Sequence, residues 1–280
     1  MHRVRSLRAR NADGSDDMRT PSGNLKEGRA LLEATGMNFA FAAGLYWEPA
    51  EDGSVRLGLS YNSQPGLGTT RMKGTLEQQF GTTAAVSPQT NVEFLQAYPD
   101  VIRAAGSFRV DKHWDLRLAF DYVRWSVLTG QCILNADVSQ GKADCELDGK
   151  YAAPPSSAVV QNVVRNWRDS VGFHAGAGYF MNDGLEIFVG ETVSTSPVPK
   201  ETIDAATIDS TRLYTAAGVR VQVQKGLSVA GSYTNIYFVP VDTEGKSQHA
   251  TFGATSKSPS TDGVYRSMIH YFNVNALFSF

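Results

Sequence analysis

SVGFHAGAGYFMNDGLEIFVGETVSTSPVP, residues Ser170 to Pro199, alternates its side chains with a period of two on both sides of a turn. Apolar or small residues before the turn fall on one side of an extended chain: Val171, Phe173, Ala175, Ala177, Tyr179 and Met181. Asn182-Asp183-Gly184 makes the turn, and the alternation resumes with Leu185, Ile187 and Val189. Successive side chains of a β-strand point to opposite faces, and a turn of this type between alternating runs is typical of a hairpin. The stretch therefore predicts a β-hairpin that opens into a long Ser/Thr/Pro-rich connection.

The same arrangement repeats along the chain from Thr35 to Phe280 and predicts nine strands. Tight turns are predicted at 49–53, 111–113, 182–184 and 224–226 and long connections at 79–90, 129–161, 195–210 and 242–262. The second strand, which begins at Val55, is predicted to bend at 65–68 and to continue through 71–78. Short turns at one rim and long loops at the other are typical of outer-membrane barrels. The fold class predicted is all-β, an antiparallel transmembrane β-barrel.

The first part of the chain lacks this pattern. Residues 1–34 are polar and predict a loop segment with at most a short helix near Asn24 to Glu33 and no core, so the barrel is predicted to occupy residues 35–280. The basic run from Met1 to Arg10 has no apolar segment behind it and does not match a signal peptide.

Composition excludes several classes of protein. The 26 basic and 28 acidic residues leave a net charge of −2, and basic residues are not gathered in one region, which argues against nucleic acid as a partner. Charged residues make up 19% of the chain, less than the roughly 25% usual in soluble proteins. Transmembrane helices are excluded because no run of about eighteen apolar residues occurs. Transmembrane β-strands leave no such run.

A soluble β-sandwich would also show strands separated by frequent turns, and it stays open as an alternative. The length of the strands favours the barrel, as does the expectation that their apolar faces carry no charge before the strand ends. Aromatic residues near the predicted strand ends match the interfacial girdles of a barrel: Trp47, Trp114, Trp125, Tyr179 and Phe280.

If Ile102, Leu116, Phe173 and Val219 face lipid, the alternating residues face the lumen. The charged or titratable residues predicted there are Arg103, Arg109, Arg117, Asp121, His174 and Arg220. Because buried charges require partners, Arg117 and Asp121 are predicted to join a cross-strand network of ion pairs. A cationic member could also bind the carboxylate of a ligand. The alternative for each of these residues is a purely structural role.

The long loops supply three further hypotheses. Cys132 and Cys145 are candidates for a disulfide in an oxidising compartment, the alternative being two free thiols. Asp144 and Glu146 beside Cys145 could bind a cation or be solvated. Hydrophobic residues of the same loop could form a landing surface outside the cell: Tyr151, Val159 and Val160. No metalloprotease, hydrolase, Walker or dinucleotide motif occurs, so no enzyme activity, metal or cofactor is predicted.

Short motifs in a fixed order resemble the FadL/TodX family of outer-membrane transporters. They are Tyr98-Pro99-Asp100, Trp125-Ser126, Ser196-Pro197-Val198-Pro199, Ile208-Asp209-Ser210-Thr211-Arg212 and the aromatic terminal residue Phe280. The resemblance implies a fourteen-stranded monomeric barrel in the lipid of the outer membrane, with an N-terminal hatch. It also implies passive transport of long-chain fatty acids or other hydrophobic molecules.

Nine strands would correspond to the C-terminal nine of that barrel, without the hatch and the first five strands. We therefore expect the chain to be a fragment or a truncated gene model, because an open sheet would leave two bare edges in lipid. The alternative function is a structural or adhesive barrel that binds partners through its long loops.

Overall fold

The chain folds almost entirely into antiparallel strands. The computed structural model describes residues 2–10, 28–80, 89–139, 141, 158–204, 207–247 and 261–279. Fifteen strands lie within these ranges: β1 His2–Arg10, β2 Gly28–Gly36, β3 Ala42–Trp47, β4 Val55–Asn62, β5 Thr69–Phe80, β6 Thr90–Ala97, β7 Val101–Arg109, β8 Trp114–Val123, β9 Gly130–Asn135, β10 Val159–Val164, β11 Ser170–Asn182, β12 Leu185–Ser194, β13 Arg212–Gln224, β14 Leu227–Asp242 and β15 Val264–Phe278. One short α-helix, Ala136–Ser139, and three 3-10 turns complete the described secondary structure.

Nine of the strands form one sheet in the order β15-β14-β13-β12-β11-β8-β7-β4-β3. Each strand pairs with neighbours that precede or follow it within this sheet along the chain, so the sheet is a meander. Its members are the nine predicted strands, and the prediction is confirmed. β3 and β15 are the edges, and the sheet is not closed within the described part of the chain.

The two faces of this sheet differ as the alternation predicts. Large apolar side chains stand exposed on one face, with Phe173 53% and Val189 54% accessible. Because removing such side chains from water is favourable, we expect this face, which we call the outer face, to meet lipid. The described residues contain no helix long and apolar enough to span a membrane.

The other six strands form a second sheet, β1-β2-β5-β6-β9-β10, which extends the first beyond its long-loop rim. The predicted bend in the second strand is confirmed, because β4 passes through a 3-10 turn at Pro65–Leu67 into β5. Two other strands that were predicted to be continuous are interrupted. The first divides into β2 and β3, and the run from Val92 to Val110 divides into β6 and β7.

The prediction of a loop without a core for residues 1–34 was wrong. His2–Arg10 and Gly28–Gly36 are paired strands, and no helix forms in the described residues around Asn24 to Glu33. Leu32 and Ala34 are buried in a cluster with Met72. Local periodicity did not reveal β2, because this strand pairs with β5, about forty residues further along the chain.

The connection at 129–161 also contains unpredicted structure. β9 and β10 pair at its two ends and extend the second sheet. Val159 and Val160 pack against the buried clusters of this sheet, so their proposed place in an exposed landing surface was wrong. Tyr151, Asp144 and Glu146 lie outside the described residues.

The exposed apolar face also distinguishes a barrel from a sandwich. In a β-sandwich the apolar faces of two sheets pack against each other. In the nine-stranded sheet Phe173, Val189 and Phe272 stay exposed instead.

Candidate functional site

The inner face of the nine-stranded sheet is defined by cross-strand pairing, because directly paired residues of an antiparallel sheet point to the same side. Arg103 pairs with Asp121, Ser107 with Arg117, and Glu186 with Arg220. All lie opposite the exposed apolar face, as does each predicted lumen residue: Arg103, Arg109, Arg117, Asp121, His174 and Arg220. The alternation thus predicts which side these residues occupy, and their functional role stays a proposal.

A first ionic cluster lies in the half of this face nearer the long loops. Arg103 donates to both carboxylate oxygens of Asp121, with Nε–Oδ1 at 2.5 Å and Nη2–Oδ2 at 3.2 Å. His174 Nε2 lies 3.0 Å from Asp121 Oδ2, and its Nδ1 lies 3.0 Å from Thr192 Oγ1. β7, β8, β11 and β12 each supply one member. We call this the upper cluster.

A second ionic cluster lies nearer the tight turns. Arg117 Nη2 is 2.5 Å from Asp115 Oδ2 and 4.0 Å from Glu186 Oε1, while Arg220 donates to Glu186 Oε2. Ser107 donates its hydroxyl to Asp115 Oδ1 at 3.0 Å. Both acids are buried, with Asp115 7% and Glu186 3% exposed. We call this the lower cluster.

The predicted ion-pair network is therefore two clusters. Arg117 pairs with Asp115 and approaches Glu186, whereas Asp121 pairs with Arg103 and His174. Sequence reasoning missed the roles of Asp115 and Glu186. The available signal was the alternation, which places Glu186 opposite Ile187 and Asp115 opposite Leu116. Arg109 lies over the ring of Phe180, 4.7 Å from its centroid.

Glycines lie beside the charged groups of both clusters. A Cβ on Gly178 would lie 2.7 Å from Glu186 Oε1, so the missing side chain leaves space for this carboxylate. A Cβ on Gly172 would lie 3.2 Å from His174 Nε2. Glycine at these positions allows polar side chains to lie flat along the wall.

Two of the pockets on the inner face adjoin the ionic clusters. The lower pocket, about 560 Å³, is walled by Tyr46 and Arg117 and floored mainly by small residues such as Gly58, Ala105 and Ala119. The upper pocket, about 450 Å³, is lined mostly by polar and small residues: Asp121, Ser170, Gly172, Thr192, Ser194 and Tyr214. His174 lines both. Each volume falls in the range of small-molecule sites.

The outer face departs from expectation at one point. Glu191 lies on β12 between the outward Val189 and Val193, and it is exposed. No ion pair to it occurs among the described residues. The prediction that the apolar faces carry no charge before the strand ends was therefore wrong for β12.

Aromatic residues mark both rims of the outer face. Near the tight turns, the rings of Trp114 and Tyr179 lie 4.9 Å apart. At the other rim, Trp125 and Trp167 are also 4.9 Å apart. Trp47 is 62% exposed at the end of β3. These placements agree with the predicted girdles, and Phe280 lies outside the described residues.

Ion pairs and hydrogen bonds stabilise the long connections between the strands. Lys200 and Lys246 both donate to Glu244 and lower the pKa of this carboxyl to about 2. Hydrogen bonds from the Tyr122 hydroxyl and from the Ser126 hydroxyl and backbone N–H lower the pKa of Asp169. Cys132 is disulfide-bonded. Cys145 lies outside the described residues, so its pairing with Cys132 stays a prediction.

No group of three or more His, Cys, Asp or Glu residues in the described ranges is placed to hold a metal ion.

Comparisons with known proteins agree with this architecture. The crystal structure of a Pseudomonas aeruginosa FadL homologue has a TM-score of 0.70 at 13% identity, covering 99% of this chain and 62% of that chain. The Ralstonia pickettii toluene transporter TbuX gives 0.52 at 12%, covering 92% and 52%. The monoaromatic hydrocarbon channel CymD gives 0.53 at 12%, covering 90% and 56%. This chain therefore spans between half and two thirds of the length of these structures.

A comparison with curated protein sequences gave no match. The family model described as outer membrane protein transport protein (OMPP1/FadL/TodX) matches residues 11–280. The chain therefore belongs to the FadL/TodX family of outer membrane transport proteins.

Proposed function

We propose that this outer-membrane β-barrel protein passes hydrophobic molecules, long-chain fatty acids or neutral hydrocarbons, across the membrane by passive diffusion along its inner wall. The observation that carries the proposal is the lower pocket, whose floor of small residues lies between two ionic clusters. Apolar surface there gives a hydrophobic molecule a favourable contact without a covalent step or an energy source. Membership of a family of transport proteins supports the same conclusion.

The finer part of the proposal concerns the carboxylate of a fatty acid. Arg117 is 55% exposed and Arg220 46% exposed, while their acidic partner Glu186 is buried. Each guanidinium has five N–H donors and needs only some of them for its partner. The remaining donors can bind a carboxylate as the chain of the ligand crosses the small-residue floor. The solved relatives named for toluene and monoaromatic hydrocarbons support neutral substrates equally.

Uptake by intact cells tests the proposal. A host that lacks its own channel of this family is given the protein or an empty vector, and uptake of labelled oleate and of labelled toluene is compared. We expect faster uptake of at least one compound with the protein. Equal uptake with the empty vector would favour the adhesive or structural barrel instead.

Arg117→Gln separates the two substrate classes. Loss of the charge is expected to slow oleate several-fold, about 1 kcal/mol for one exposed charged hydrogen bond, and to leave toluene unchanged. Arg109→Gln is the matched control, because Arg109 lies on the same inner face over the ring of Phe180 but lines neither pocket. An equal effect of both variants on both compounds would contradict a carboxylate site at Arg117.

A further inference from the structure

His174 stands at the boundary between the two inner pockets. The upper pocket includes Val123 and Ser170, the ends of β8 and β11 next to the long connections. The lower pocket includes Arg117 and Gly176, further along the same strands towards the tight turns. His174 is the residue that the two linings share. A molecule that moves from one of these pockets to the other therefore passes its imidazole ring.

The ring is fixed from several directions. Nε2 lies 3.0 Å from Asp121 Oδ2 and Nδ1 lies 3.0 Å from Thr192 Oγ1, so neighbouring strands on both sides hold it. Arg103 in turn holds Asp121. Beneath the ring, Gly172 has no side chain, and a Cβ there would lie 3.2 Å from Nε2. The ring is held in one orientation while 38% of the side chain stays exposed towards the interior.

The pockets on its two sides differ in chemistry. Hydroxyl groups of Ser170, Thr192, Ser194 and Tyr214 line the upper pocket, whereas the floor of the lower pocket is mainly Gly and Ala. A ligand moves to a more apolar surface as it passes His174 from the upper to the lower pocket, so the ring lies where the surroundings change. Steric selection at such a point acts on every molecule that follows this route.

We propose that His174 is a specificity-determining residue that limits the width of the hydrophobic molecules crossing the inner wall. The inference rests on the proposed transport function and adds a size limit set by one side chain. The size and the fixed position of the imidazole ring set the limit, because a mobile ring would move aside for wide ligands at little free-energy cost.

Two neutral fluorescent hydrocarbons of different width, naphthalene and pyrene, test the proposal without involving the ion pairs. Uptake of each is measured in cells carrying the wild-type protein, His174→Ala, Gly172→Ala or a control. We expect His174→Ala to raise the ratio of pyrene to naphthalene uptake about tenfold, the usual effect of a small steric change at a selective site. Gly172→Ala, which pushes the ring away from the wall, is expected to lower the ratio.

The matched control residues lie on the outer face of the same sheet. His270→Ala removes a histidine from β15, where His270 contacts the outward Tyr233 at 2.7 Å and lines neither pocket. Gly231→Ala adds a methyl group to β14, where no atom of the described residues lies within 4 Å of the new Cβ. Both are expected to keep the wild-type ratio. A ratio for His174→Ala equal to that of His270→Ala would overturn the proposal.

A binding measurement separates failure of this inference from failure of transport. If the wild-type protein gives no uptake above the empty vector, the transport function fails. Pyrene binding to the purified protein in detergent, followed by fluorescence anisotropy, then decides the role of His174. Tighter pyrene binding to His174→Ala with unchanged naphthalene binding supports a size limit at this residue. Equal pyrene affinities for wild type and variant contradict it, provided that both proteins migrate as folded species on unboiled gels.

Discussion

Glu186 joins two arginines through a single buried carboxylate. Arg220 donates to one of its oxygens, and Arg117 lies 4.0 Å from the other, which accepts no hydrogen bond from the residues that the structure describes. The carboxylate is 3% exposed, whereas both arginines are about half exposed. Removing the negative charge would deprive Arg220 of its carboxylate partner, whereas Arg117 would keep Asp115. Water in the lumen would hydrate the half-exposed guanidinium groups and so offset part of the lost electrostatic attraction.

Glu186→Gln and Glu191→Gln form a matched pair on opposite faces of β12. We expect Glu186→Gln to lower the free energy of unfolding by about 1–2 kcal/mol, less than the loss for a fully buried pair because the arginines stay hydrated. Glu191→Gln is expected to be neutral or to stabilise by up to about 1 kcal/mol, since it removes a charge from the lipid face. Urea unfolding midpoints in detergent micelles measure both changes. Equal midpoints for the two variants would show that burial on the inner face is not what makes Glu186 important.

Glu244 links two long connections, because Lys200 follows β12 and Lys246 follows β14. Both ammonium groups lower the pKa of Glu244 from 4.5 to about 2. A lowered folded-state pKa means that the contribution is fully present above pH 4.5 and is lost as the pH falls through about 2. We expect NMR titration of the Glu244 carboxyl to give a midpoint near 2. Lys200→Met should move the midpoint upward, and a wild-type midpoint at the ordinary value would contradict the link.

The pairing of β2 with β5 depends on a close backbone approach at Gly74. A Cβ there would lie 1.8 Å from the carbonyl oxygen of Glu33 and 2.6 Å from Ala34 Cα. Since both are backbone atoms, Gly74→Ala must separate the strands, at about 1–3 kcal/mol for an overpacked site. We expect hydrogen exchange of the β2 and β5 amides to accelerate while the nine-stranded sheet keeps its protection. Gly58→Ala, whose Cβ would lie 3.9 Å from the nearest atom, is the control. Unchanged exchange in Gly74→Ala would contradict the close approach.

The strands of the nine-stranded sheet were predictable because each carries its own period of two, as Trp114–Val123 does. Local patterns also place His174 and Arg117 on the inner face, because alternation along a strand is enough to determine the face on which each side chain lies. The partners were not predictable in the same way. Glu186 meets Arg220 only because β12 pairs with β13 in one register, and a shift of one residue would put the two on opposite faces. β9 and β10 were missed because each is only six residues long and flanks a polar stretch.

At the scale of the whole molecule, the nine-stranded sheet separates two environments. Its outer face exposes large apolar groups between two levels of aromatic residues, and its inner face carries two ionic clusters that water in an enclosed interior would hydrate. A soluble protein could not leave so much apolar surface in contact with water without association. The same surface is favourable in contact with acyl chains, so the fold and the location in the outer membrane have one physical cause.

This distribution predicts how the purified protein behaves. We expect it to stay monodisperse only in detergent and to give a circular dichroism spectrum dominated by β-structure. On gels we expect the unboiled protein to migrate differently from the boiled one, because the hydrogen-bonded sheet resists unfolding by the gel detergent until it is heated. Phe173→Asp is the informative variant. It places a charge among outward apolar side chains, and it should reduce the folded fraction by an amount that depends on its depth in the bilayer. Ser232→Asp, on the inner face of β14, should have a smaller effect. Full solubility of the wild-type protein without detergent, or equal folded fractions for the two variants, would contradict the assignment of the outer face to lipid.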